Sequence, residues 1–93
     1  MMRPLVLGAI AMIFATAAHA LAVVEFLKMD VSQQMDVIKP IQISFLQSGY
    51  RKVPDNSYGL ALEVKKIAFE KGYTYQSIEE VAKEAAIRMG MTR

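Results

Sequence analysis

The side chains able to do covalent or acid–base chemistry near neutral pH are few in this chain, and they are poorly placed for it. There is one histidine, His19, and no cysteine among 93 residues. A serine nucleophile needs a base within hydrogen-bond reach. The only imidazole lies in the apolar stretch "ATAAHALAVVEF", and the first serine is Ser32. The lack of cysteine excludes disulfides and thiolate metal sites. The carboxylates are interspersed with Lys and Arg, as in "EVKKIAFEKGY". Glu79, Glu80 and Glu84 stand beside Lys83 and Arg88 at the spacing of surface helix pairs, which carry no catalytic signal. No glycine-rich phosphate loop occurs. These absences predict a non-enzymatic protein with no metal and no small-molecule substrate.

His19 is the exception, because an ionisable group inside an apolar run is costly and is a functional candidate by default. Ala15 and His19 form A-x-x-x-H, a helix face on which a small residue leaves room beside an imidazole. This resembles the pigment-ligating helix of purple-bacterial antenna polypeptides. The resemblance implies that His19 could hold the magnesium of a bacteriochlorophyll or another tetrapyrrole if the segment stays in a membrane. The chain departs from that pattern in having no tryptophan and in its long C-terminal body. On the plainer reading, His19 is the middle residue of an export cleavage site. Residues 85–93 look like the first helix and turn of a helix-turn-helix DNA-binding module. The recognition helix would have to start at Arg93, and without it no base edge is read. The net charge of +2 is small and spread, so no nucleic-acid partner is expected.

These residues depend on how residues 1–28 are used. Between Pro4 and Val24 there is no charged residue, and a helix of that length covers about 30 Å, enough for a bilayer. The same segment divides into a basic start "MMR", an apolar stretch from Leu5, and the small-x-small site Ala18-His19-Ala20. The apolar character runs past that site into "LAVVEFL", which favours a retained single-pass helix to about Lys28. Arg3 precedes the run, so the N-terminus is expected to be cytoplasmic and the remainder periplasmic or lumenal. Gly8, Ala11, Ala15, Ala18 and Ala22 form a small-residue stripe suited to close helix packing in lipid. The alternative is cleavage after Ala20 and release of a soluble periplasmic protein.

Residues 29–93 are expected to be a small all-α domain. Val31, Met35 and Ile38 mark one face of a short amphipathic helix, with Asp30 and Gln33 as its cap. Pro40 should break or kink it. Ile41, Ile43 and Phe45 alternate as in a strand, but no second strand exists to pair with them; a helix or linker through Leu46 is preferred. "SGYRKVPDNSYG" is the clearest loop. Leu60, Val64, Ile67 and Ala68, widened by Leu62 and Phe69, then form a helix ended by Gly72. Ser77 and Glu80 form a capping box for a second helix through Val81, Ala85 and Met89 to Gly90. The pair makes an αα-hairpin. Tyr73 and Tyr75, with Arg51 and Lys52, are the expected docking residues, while Tyr58 is expected to close the core. A body this small buries little by itself. The expected role is therefore an accessory subunit, packed against a larger membrane protein complex and the lipid bilayer. The alternative role is a released binding or chaperone-like module.

Overall fold

The computed structural model describes residues 21–93, which fold as four helices: α1 Val23–Leu27, α2 Val31–Gln47, α3 Ser57–Lys71 and α4 Ile78–Arg88. The all-α expectation holds for these residues. Their only strand-like pairings are two isolated antiparallel bridges, Ala22 with Ser77 and Arg51 with Thr92. No described helix is long and apolar enough to cross a membrane. Gly8, Ala11, Ala15, Ala18 and His19 lie outside the described residues.

The entry to the body differs from a continuous apolar helix reaching Lys28. Ala22 is extended, with φ −89° and ψ 157°, so the helix that contains Phe26 starts at Val23. The backbone is held by the chain between α3 and α4: Val23 N donates to Gln76 O at 2.9 Å, Val24 N to Thr74 O at 2.8 Å, and Ile78 N to Leu21 O at 2.9 Å. Val23 and Phe26 are fully buried, and Leu21 packs against the core from its edge. Part of the "LAVVEFL" stretch is therefore apolar because it is core. Burying a side chain such as Phe26 contributes about 1.5–3 kcal/mol. Ala22, expected on the small-residue stripe, is in the extended bridge instead.

α2 corrects the expected break at Pro40. Asp30 accepts from Gln33 N at 2.9 Å, and Gln33 Oε1 accepts from Asp30 N at 3.2 Å, which makes the reciprocal cap read from the sequence. From there the helix runs seventeen residues and continues through Pro40 without a break. Its buried face is Gln34, Ile38, Ile41, Gln42 and Phe45, a helical spacing that spans the proline. Pro40 is on the exposed side, where its ring meets water and the missing amide donor is tolerated. Packing on both sides of it outweighs the local cost of roughly 3 kcal/mol. Ile43, read as one of three alternating strand residues, is 53% exposed. Val31 of the expected face is also half exposed.

α3 and α4 form the expected hairpin and share the most extensive helix contact of the fold. Asn56 caps α3 by accepting from Gly59 N at 3.0 Å, so the helix begins at Ser57, inside the stretch read as loop. Gly72 ends it in the left-handed conformation, φ 67°, which glycine adopts at little cost. Ser77 caps α4 through Glu79 N at 3.3 Å, in place of the reciprocal box expected with Glu80. The core joins Leu60, Val64 and Ile67 of α3 to Ile78, Val81, Ala82 and Ala85 of α4, with Ile38 and Phe45 of α2 and Phe26 of α1 above them. The alanines let the α4 backbone come close to its neighbours. Leu62 and Phe69, expected to widen the core face of α3, are 43% and 91% exposed. At 100° per residue they fall on the opposite side of α3 from Val64 and Ile67.

Candidate docking surface

Two polar clamps join the helices beneath the surface. Gln34, nearly fully buried, donates from Nε2 to Phe26 O at 3.0 Å and accepts from Lys65 Nζ at 3.1 Å. It ties α1, α2 and α3 with one side chain. Gln42 donates to Pro54 O and accepts from Ser57 Oγ at 2.7 Å, fixing the chain that enters α3. Buried amides of this kind must be satisfied, since an orphaned one costs about 1–3 kcal/mol. Sequence reading missed both, because a glutamine on an apolar helix face is not distinguishable from a surface glutamine without the partner helix.

The outer side of the hairpin is joined by ion pairs. Lys71 Nζ meets Glu84 Oε2 at 2.8 Å, and Arg88 reaches Glu70 at 3.1 Å and Glu63 at 3.6 Å. Glu84 lifts the Lys71 ammonium above its usual value, and Glu70 does the same for Arg88. These contacts cross between helices, while the surface i,i+4 pairing read from sequence contributes one longer contact, Arg88 to Glu84 at 3.8 Å.

The four expected docking residues separate into two places. Tyr73 and Tyr75 lie in the chain joining α3 to α4, next to the point where Leu21 enters. Tyr75 is 87% exposed. Tyr73 is half buried, packed against the core, with Lys71 Nζ 5.7 Å from its ring centre. Phe69 completes this end, and beside it a shallow apolar groove is lined by Leu27, Lys65, Ala68, Phe69, Gly72 and Thr74. Tyr58, expected to close the core, is half exposed, and follows the same outward stripe of α3 as Leu62 and Phe69 at spacings of four and seven. That stripe was legible as an i, i+4, i+11 series in the sequence.

Arg51 and Lys52 belong to the other end of the hairpin. Arg51 N donates to Thr92 O, and Thr92 N donates back to Arg51 O at 2.8 Å. In an antiparallel pair this sets Tyr50 opposite Arg93. The Arg93 guanidinium carbon is 4.6 Å from the Tyr50 ring centre, Lys83 Nζ is 5.5 Å away, and Phe45 meets the ring edge-on at 5.8 Å. Lys52 then turns the chain away at φ 56°, a conformation that costs a side-chain-bearing residue about 1 kcal/mol or more. Lys83 beside the phenol holds Tyr50 below its ordinary pKa; partial burial opposes this and Arg93 adds to it. Tyr50, Lys83 and Arg93 had no place in the expected site, because only the Arg51–Thr92 pairing brings them together.

Among the described residues, no group of His, Asp, Glu or Cys is arranged to hold a metal ion. Comparison with family models, with curated proteins and with solved structures finds no match to this chain.

Proposed function

We propose that this chain is an exported, non-enzymatic interaction domain: residues 1–20 direct export, cleavage follows Ala20, and the helical body works by docking to a protein partner. The supporting observation is that Ala22 is extended and that the chain from Leu21 to Val24 is tied to residues 74–78. The apolar residues past Ala18-His19-Ala20 are then needed by the core of the body. The chief objection to cleavage, an apolar mature start, loses its force. The body also has a continuous core and capped helices of its own, so it does not require a bilayer to bury Val23 and Phe26. Docking is assigned to Leu62 and Phe69 on the outward face of α3 and to Tyr75 in the chain that follows it, all large and exposed; solvated aromatics such as Phe69 and Tyr75 are favoured as interface anchors. N-terminal sequencing of protein isolated from its native cell tests the export reading. A start at Leu21 is expected, and an intact Met1 start in the membrane fraction would overturn it.

A second reading is retention as a single-pass accessory subunit of a larger complex. What favours it is that Leu27, Phe69 and Tyr75, all exposed, surround the end of the body where the apolar run joins. In that case these residues would rest at the lipid boundary, where aromatic side chains are enriched. The tetrapyrrole role of His19 belongs to this reading alone.

A further inference from the structure

The bond that the export reading cuts, Ala20–Leu21, stands at the edge of the folded body, and the residues just past it are part of that body. Leu21 O accepts from Ile78 N, Val23 N donates to Gln76 O and Val24 N to Thr74 O, all at 2.8–2.9 Å. Ala22 lies between them in the antiparallel bridge to Ser77. Val23 and Phe26 are fully buried. Cleavage after a small-x-small site is hydrolysis of one amide: water adds its hydroxyl to the Ala20 carbonyl carbon, the carbon–nitrogen bond breaks, and the Leu21 nitrogen leaves with a proton as an amine. A peptidase that takes its substrate as an extended strand needs free main-chain groups on either side of that bond. In the folded body the groups of Leu21, Val23 and Val24 are already bonded within the chain, and the backbone turns helical at the third residue past the bond.

We propose that folding of the body closes the Ala20–Leu21 bond to cleavage, so that residues 1–20 are removed before α1 docks on residues 74–78, or after its local release, and not from the closed body. This rests on the export reading. It makes cleavage and retention two outcomes of one race: a chain cut first becomes the free domain, and a chain folded first keeps residues 1–20. Release of α1 is a local opening, and the rate of cutting follows the fraction of molecules that are open.

The test treats the full chain, in mild detergent, with a purified signal peptidase and counts cut chains by their Leu21 start in N-terminal sequencing. The unfolded reference is the double variant Val64→Asp and Ile67→Asp, which puts carboxylates at two fully buried positions remote in sequence from the bond; circular dichroism checks its loss of helix. The parent should be cut at least about tenfold more slowly than this reference. Ile78→Pro removes the donor to Leu21 O. Proline suits the first helical position, and Ser77 before it is extended at φ −64° and ψ 137°, as a residue preceding proline prefers. Ile78→Ala loses the same side chain but keeps the amide, so the folded Ile78→Pro chain should be cut about threefold faster than Ile78→Ala. In the unfolded background the two substitutions should be cut at the same rate. Equal cutting of parent and reference would overturn the inference and leave the export reading standing, as would equal cutting of the folded Ile78→Pro and Ile78→Ala chains. No Leu21 start even from the unfolded reference would overturn both together.

Discussion

Tyr50 and Tyr75 occupy the two ends of the hairpin, and each has basic residues near it in sequence, yet the fold uses them differently. Tyr50 is edge-on to Phe45, flanked by Lys83 and Arg93, and half buried against the core. Tyr75 is almost fully solvated, with Phe69 beside the same loop equally bare. A chain with a small core has placed large aromatic area in water at one end while using an aromatic as a closure at the other. Aromatic surface left in water, the raw material of binding, is thus found at the Tyr75 end, although Val23 and Phe26 are fully buried beneath it.

The strongest way to break this contrast is to attack what supports the bare end from below. Phe26→Ala removes a fully buried ring and should cost about 3–5 kcal/mol in urea unfolding. Amide exchange should rise first at residues 74–78, which α1 pins through Val23 and Val24. A loss below about 1 kcal/mol would mean that α1 is not part of the cooperative core. Next in size, Gln42→Ala strands Pro54 O and the Ser57 hydroxyl and should cost about 1–3 kcal/mol, read as a lower urea midpoint with unchanged slope. Between the two aromatics, Tyr50→Ala should destabilise by about 1–2 kcal/mol through the lost Phe45 contact. Tyr75→Ser and Phe69→Ser should stay within about 0.5 kcal/mol of the parent. If partner capture survives the double Phe69→Ser and Tyr75→Ser variant at full strength, the docking role fails.

The smallest effect is spectroscopic and concerns Tyr50 alone. Its folded phenol is held below the ordinary value mainly by Lys83, so its stabilising contribution exists only in alkaline solution. That contribution is fully present above the unfolded pKa, is lost as pH falls through the folded one, and adds nothing at neutral pH. A tyrosine-specific NMR titration should show Tyr50 ionising below the ordinary tyrosine range. Lys83→Gln should remove most of that lowering.

Much of the α3–α4 hairpin was legible along the chain. Gly72 reaches the left-handed conformation its position implied, and Asp30 with Gln33 makes the cap their spacing implied, because both depend on a few adjacent residues. Legibility failed where the deciding partner is distant. Pro40 looks like a helix stop when only local amides are considered, but Ile38, Ile41 and Phe45 are buried on both sides of it. Leu62 and Phe69 were counted into the core for being apolar, although their helical phase pointed outward. The candidate site divided for the same reason: Arg51 and Tyr75 belong to one loop-rich class of residue, while backbone pairing with Thr92 and with Ala22's neighbours sends them to separate ends.

Caps, turn glycines and the 3.6-residue period belong to the sequence itself, since each is settled by atoms a few residues apart. They sufficed to define a helical body, and the lack of cysteine ruled out thiol chemistry. The outward phase of Leu62 and Phe69 was already in the sequence, but which residues of α1 and α2 would be core was decided only when those helices packed onto the hairpin. The pairing of Lys83 and Arg93 with Tyr50 was decided at the same step, because burial and charge contact are properties of residues far apart in the chain. A residue's own type sets what it can exchange with a neighbour, and the tertiary fold sets which neighbour it has.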